Sequence, residues 1–293
     1  MKKDEITRRD FTGKLAAGAL FGIGGLMAQC TTMKVKHQKG KQTQVGLQLY
    51  TVRDLTKKDF AGTLKQVAQI GYDSVEFAGF GGLSAKEVKK LLDDLGLACA
   101  GSHEEYDGLS KNLSAVIDFN LAIGNSYIVC PSMPKVWRGK GAERFKAFGE
   151  KLTEIGRTVN KSGMQFCYHN HNFEFEKADG KYLIDYLLES SDPKAVKSEV
   201  DVYWVQYANA DPVAFINKYS TRCPMIHMKD MASDEKRSFA PVGAGIMDMK
   251  SIVQAARKAK AARYIVEQDT SKGPVLEAIA VSLKNMRELL KEG

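Results

Sequence analysis

The chain has 293 residues, 44% of them hydrophobic, and 43 Lys and Arg against 35 Asp and Glu give a formal charge of +8. Such a chain can bury a large core, as two average domains or as one α/β barrel of about 250 residues. The charge points at first to nucleic acid or an anionic surface, but residues 1–43 hold nine basic side chains against three acidic ones, so the remainder is nearly neutral and a nucleic-acid partner is not expected.

The basic excess has another reading. Thr7-Arg8-Arg9-Asp10-Phe11 is a twin-arginine pattern, followed by an apolar, glycine-rich run from Leu15 to Ala28. A charged start, a short apolar stretch and small residues near its end read as an export signal over residues 1–30. The stretch is too short and too glycine-rich for a comfortable membrane helix. Leu26-Met27-Ala28-Gln29-Cys30 is similar to a lipoprotein box, with Gln29 where a small residue is usual. Cys30 is therefore a candidate lipid anchor to a membrane, the other outcome being cleavage near Ala28 and a soluble periplasmic protein. The expected location is outside the cytoplasm, periplasmic or lipid-anchored at the cell envelope. Residues 31–44 read as a polar, basic tether.

From residue 45 onward, short apolar runs alternate with helix-length amphipathic segments. The expected strands are Val45–Val52, Ser74–Ala78, Ala98–His103, Tyr127–Ser132, Gln165–His171, Ser198–Trp204, Met225–Lys229 and Tyr264–Gln268. The expected helices are Asp59–Ile70, Ser84–Leu95, Leu109–Ile123, Gly141–Ser162, Lys181–Ser190, Asp211–Tyr219, Met249–Ala259 and Pro274–Lys291. Ser84 and Asp211 suit N-caps, the latter with Pro212 at the first helical position. Gly71, Gly96, Gly124 and Gly163 each follow a helical run, where a left-handed residue stops it. Eight β/α units predict a single (β/α)8 TIM barrel over residues 45–293. An open doubly wound sheet would want a Gly-x-Gly-x-x-Gly turn after the first strand, which is missing here. Five cysteines do not make a disulfide scaffold; Cys99, Cys130, Cys167 and Cys223 read as buried free thiols.

In such a barrel the site lies at the C-terminal ends of the strands. Those ends carry Tyr50, Glu76, His103, then His169 and His171 with Glu174, then Asp201, His227 with Lys229, and Glu267. Four of the five histidines are among them, His37 in the tether being the exception. Glu174, Asp201, His227 and Glu267 supply three carboxylates and one imidazole, a donor set suited to one divalent metal ion, Mn, Co, Mg or Zn. Such an ion polarises a carbonyl and acidifies the neighbouring C–H, and a histidine or glutamate then removes the proton. His169 and His171 alternate by two and so face one side of their strand. With Glu174 and Glu267 they are the candidate catalytic residues, and Tyr50, His103, Lys229 and Trp204 are candidates for binding substrate. Glu176 competes with Glu174, and His169 can itself take the ligand position. Glu76 reads as a bridge to a neighbouring strand. The segment Met231–Asp248, with its Val242-Gly243-Ala244-Gly245 turn, reads as a substrate-covering loop.

Tyr168-His169-Asn170-His171-Asn172-Phe173-Glu174-Phe175, Glu199-Val200-Asp201-Val202-Tyr203-Trp204, Ile226-His227-Met228-Lys229-Asp230, Val242-Gly243-Ala244-Gly245-Ile246-Met247-Asp248 and Ile265-Val266-Glu267-Gln268-Asp269 together resemble the xylose-isomerase-like TIM-barrel superfamily, also labelled sugar phosphate isomerase/epimerase. The resemblance runs from about Val45 to the C-terminus. It implies one divalent metal held by Glu174, Asp201, His227 and Glu267, and a metal-dependent isomerase, epimerase or lyase acting on a small carbohydrate. One departure is informative: His169 stands where the ketose epimerases place their first ligand. That weighs against a two-glutamate epimerase and toward the branch of inosose dehydratases and keto-glycoside lyases. Export argues against a phosphorylated substrate. The competing expectations are a non-catalytic carbohydrate-binding lipoprotein on the same barrel, with Tyr50, Trp137 and Trp204 as stacking surfaces, and an endonuclease, a branch that needs more histidines than this chain has. Self-association is compatible with the pattern.

Overall fold

A computed structural model describes residues 44–139 and 141–291. The expected export signal, the lipid-anchor candidate Cys30 and all of the tether except Gln44 lie outside the described residues. The eight apolar runs form strands β1 (Val45–Gln48), β2 (Ser74–Phe77), β3 (Ala98–His103), β4 (Tyr127–Cys130), β5 (Gln165–His169), β6 (Val196–Asp201), β7 (Met225–Met228) and β8 (Arg263–Val266). Each pairs in parallel with its neighbours, and β8 returns to pair with β1, closing the expected (β/α)8 TIM barrel. Among the described residues, no helix is long and apolar enough to cross a membrane.

Several strand ends differ from the sequence reading. β1 stops at Gln48, whose side-chain oxygen accepts the Tyr50 N–H at 2.9 Å and starts a 3-10 turn over Leu49–Val52. β6 stops at Asp201, which caps a helix over Val202–Tyr207 by accepting the Trp204 N–H at 3.0 Å. The apolar residues Val202, Tyr203 and Val205 extend the β-like run but are the buried face of that helix. The helix expected over Leu109–Ile123 is two helices, Tyr106–Lys111 and Leu113–Ala122, meeting at Asn112. The other signals hold. Ser84 makes a capping box with Glu87, Asp211 caps with Pro212 behind it, and Gly71 and Gly96 end their helices at φ of 106° and 66°. The four described cysteines are free, three of them buried.

The core has two parts. The larger lies between the barrel and its helices, and includes Leu47, Val75, Phe77, Phe166, Val200 and Ile226. The smaller fills the barrel's interior with Ala100, Val129, Cys167, Met225 and Ile265. Side chains alternate along a strand, so the residues two positions beyond Cys167, Met225 and Ile265 also face inward. Those residues are His169, His227 and Glu267. The apolar layer is thus the floor of the polar one, and the register that places it (Ile265 beside His227, Asp201 beside His227, His169 beside Glu199) also assembles the site.

Candidate metal and active site

Ten ionisable side chains from six strands and their following turns meet above that floor. Glu199 and Asp201 alternate on β6, so both face inward. The Glu199 Oε2 atom lies 2.8 Å from His103 Nε2, 3.0 Å from His169 Nδ1 and 3.2 Å from His227 Nε2. Glu76 does bridge strands, as expected: its Oε2 accepts from Gln48 Nε2 at 2.7 Å and lies 2.6 Å from His227 Nε2 and 3.3 Å from His103 Nε2. All these carboxylates are fully buried.

The two inner histidines are oriented alike. His169 gives Nδ1 to Glu199, leaving Nε2 at 3.6 Å from Asp201 Oδ2. His227 gives Nε2 to Glu76 and Glu199, leaving Nδ1 at 2.9 Å from Glu267 Oε2. An outer carboxylate that fixes one ring nitrogen while the other faces a donor set is the arrangement of metal-binding histidines. His169, Asp201, His227 and Glu267 each bring a ligand atom within 4.8 Å of the others, so the cluster could hold a metal ion. Asp201 serves two ends: Oδ1 caps its helix, and buried Oδ2 receives no aligned hydrogen bond among the described residues. Asn170 locks this pairing in place, its side-chain amide accepting from Asp201 N at 3.1 Å and donating to Asp201 O at 3.2 Å.

Glu174 is not in that donor set. It lies in a 3-10 turn over Phe173–Phe175, where Oε1 accepts from the Tyr168 hydroxyl at 2.6 Å and Oε2 from the His171 N–H at 2.9 Å. Both oxygens are spent on holding the turn after β5, and it is His169 that lies in the donor cluster. Glu176 is exposed. Lys229 is 2% exposed. Its ammonium lies 3.0 Å from Asp201 Oδ2, 2.7 Å from Glu267 Oε2 and 2.8 Å from Asp269 Oδ1.

A cavity of about 650 Å³ opens onto the cluster. Of the expected substrate-binding residues, Tyr50, His103 and Lys229 line it, together with His169, His171, Glu267, Glu104, Glu105 and Asp269. Tyr50 is 46% exposed, with the Arg53 guanidinium 4.2 Å from its ring centre. Trp204 stands behind the wall, its ring 5.7 Å from both the Lys229 ammonium and the His171 ring. The segment Met231–Asp248, expected to cover substrate, contributes no residue to the lining of this cavity among the described residues, and it is anchored at its base. Asp230 accepts the N–H groups of Met231, Gly243, Gly245 and Met247 at 2.7–3.2 Å. Gly245 has no room for a side chain, since a Cβ there would lie 2.3 Å from Asp230 Oδ1.

Burial and charge divide the imidazoles. Burial works against a charged His103, but Glu76 and Glu199 outweigh it and push its pKa up to about 10. His227 is raised for the same reasons. Burial lowers His169, and the neighbouring His227 adds to the effect. Burial and then the Lys229 charge bring His171 down to about 3, leaving a neutral ring whose buried Nδ1 has no protein partner among the described residues. Burial would raise Glu267, but Lys229 and His227 hold it well below the usual carboxylate range. Burial lifts Asp201 to about 6 despite Lys229 and His227. Five carboxyl groups (Glu76, Glu199, Asp201, Glu267 and Asp269) lie around the Lys229 ammonium and the His103, His169 and His227 rings. A divalent cation could add to the charge that balances them.

Glu76, Glu199, Asn170 and Asp269 were not singled out as site residues in the sequence. Glu199 had a signal, because it lies two residues before Asp201 and so shares its face.

Residues 64–289 match the family model described as xylose isomerase-like TIM barrel. An inosose dehydratase of Clostridium beijerinckii is 25% identical over 213 residues, covering 64% of this chain and 71% of that protein. One from Geobacillus thermodenitrificans is 22% identical over 231 residues, covering 67% and 77%. A solved structure of a sugar phosphate isomerase/epimerase from Parabacteroides distasonis superposes with a TM-score of 0.73 at 25% identity, covering 87% of this chain and 97% of that one. With the closed barrel and a family match across most of its length, the chain belongs to the xylose isomerase-like TIM barrel family.

Proposed function

We propose that the protein is a divalent-metal-dependent enzyme of the sugar isomerase, epimerase or dehydratase kind, and within that range a dehydratase or lyase of a non-phosphorylated keto-sugar or keto-polyol. The observation that carries this reading is the cavity wall, where His103 and His171 stand beside the donor set of His169, Asp201, His227 and Glu267. That set would hold the ion, and two nitrogen donors favour Mn, Co or Zn over Mg. When bound, the ion would polarise the substrate carbonyl and acidify the adjacent C–H.

The chain's own groups supply the proton transfers. The neutral His171 ring lines the cavity and would accept the C–H proton, leaving an enolate. His103 carries a proton to give to the departing β-oxygen, which leaves as water or as an alcohol. The same abstraction followed by return of the proton on the other face would be an epimerisation. Similarity to inosose dehydratases supports elimination. So does His169 in the donor set, where a second glutamate would serve an epimerase.

The wall also bears on charge. Glu104, Glu105, Glu267 and Asp269 line the cavity, and its one ammonium is already held by three carboxylates. A phosphate would meet repulsion there, which supports a neutral carbohydrate. The twin-arginine pattern and the apolar run of residues 15–28 support export, with lipid attachment at Cys30 as its anchored form. The alternative of a non-catalytic glycan-binding lipoprotein draws no support from a fully buried ionisable cluster, which is costly to keep for stacking alone.

Incubation with Mn²⁺ and a panel of keto-polyols and keto-glycosides in D₂O tests the reading. An unsaturated product is expected. Deuterium in recovered sugar without elimination would move the assignment to epimerase. Neither outcome across the panel would count against the class.

A further inference from the structure

The Lys229 side chain occupies a built cation site. Its ammonium touches Asp201 Oδ2 at 3.0 Å, Glu267 Oε2 at 2.7 Å and Asp269 Oδ1 at 2.8 Å. The rings of Trp204 and Phe239 each stand 5.7 Å from it. Asp201 Oδ2 and Glu267 Oε2 are also the oxygens that face His169 Nε2, at 3.6 Å, and His227 Nδ1, at 2.9 Å. Two of the lysine's three acceptors therefore belong to the four-residue donor set, and the third, Asp269, does not.

We propose that the Lys229 ammonium and a divalent metal ion are alternative occupants of the Asp201–Glu267 oxygen pair, with Asp269 as the acceptor that keeps the lysine when the ion enters. The inference rests on the reading of this cluster as a metal site. Two cations sharing the same oxygens would stand about 4 Å from each other, and such repulsion in a buried site is strong. Asp269 allows the ammonium to give up the shared oxygens without losing its last counter-charge. The lysine thus keeps the carboxylates neutralised in the metal-free protein, and metal affinity is set by how readily it yields. Lys229 is a positioning residue here, acting on the metal rather than on substrate.

The test is calorimetric titration of Mn²⁺ into chelator-treated full-length protein, with no substrate. Lys229→Met is expected to bind Mn²⁺ at least about tenfold more tightly than wild type. In Lys229→Ala, n-propylammonium should replace the missing side chain and raise the apparent Kd for Mn²⁺ in proportion to its concentration. Asp269→Asn keeps the lysine but removes its refuge, and should bind at least about fivefold more weakly; it serves if the Lys229 variants do not fold. Unchanged or weaker binding by Lys229→Met, a propylammonium effect that saturates, or unchanged binding by Asp269→Asn would each overturn the proposal. Wild-type binding separates the two ideas. Binding by Lys229→Met but not by wild type supports shared occupancy while removing metal dependence from the native enzyme. Binding by wild type without the expected change in the variants leaves the metal reading standing and removes this one. Binding by neither removes both.

Discussion

Glu174 and His169 lie five residues apart, and their environments assign them different work. His169 is at the last position of β5, where the inward-facing period of two delivers its ring to Asp201. Glu174 comes after the strand, where the chain has turned, and its carboxylate is drawn to the Tyr168 hydroxyl and the His171 N–H. Burial lifts the pKa of Glu174 to about 7, against the pull of those two hydrogen bonds. A carboxyl raised in this way holds its proton longer in the folded than in the unfolded chain. Its stabilising contribution is complete below the unfolded value of 4.5 and is lost as pH rises through about 7. The stability of wild type relative to Glu174→Gln should therefore fall by about 2 kcal/mol between pH 5 and pH 8. Urea unfolding of both proteins at the two pH values measures this. A difference that stays flat or grows with pH would show that Glu174 is ionised throughout, as a ligand would be.

At the scale of elements, the helix over Ala142–Lys161 shows how close packing sets the frame behind β5 and β6. Its Gly149 and Gly156 lie against backbone: an added Cβ would sit 2.3 Å from Leu187 O at the first and 2.4 Å from Ala195 O at the second. Gly149→Ala gains helix propensity but must push the Leu183–Ser190 helix away, and a net loss of about 1–2 kcal/mol is expected. Gly108→Ala is the contrasting case, because among the described residues nothing lies within 4 Å of the added methyl in the Tyr106–Lys111 helix. It should be neutral or gain up to about 1 kcal/mol. Denaturant midpoints of the two variants check the opposite signs; equal effects would mean that the helix contact is looser than described. The loop after β7 belongs to the same scale. Four backbone N–H groups converge on Asp230, which makes the Val242–Gly245 turn a fixed support beside Lys229.

For the molecule as a whole, what could be read in advance was what local pattern controls. Apolar runs of strand length, capped helices and left-handed glycines predicted the barrel, and the strand-end rule located His103, His169, Asp201, His227, Lys229 and Glu267 on it. Strand ends were overrun where an apolar sequence continued into the next element, as in Val202–Tyr207. The outer carboxylates were harder to read because their partners are remote. Glu76 and His227 are 151 positions apart, and in Ser-Val-Glu-Phe a glutamate looks the same whether it bridges strands or orients a ligand. Nor does sequence show that Lys229 spends its charge on three carboxylates rather than on a substrate.

The central claim is that His169, Asp201, His227 and Glu267 form a metal centre from which Glu174 is excluded. Elemental analysis of protein purified without chelator, as wild type, His169→Ala, His227→Ala and Glu174→Gln, tests it most directly. The account predicts about one Mn, Co or Zn per chain in wild type and in Glu174→Gln, and loss of the metal from both histidine variants. No metal in wild type even after soaking with Mn²⁺, or metal lost from Glu174→Gln but kept by His169→Ala, would contradict it.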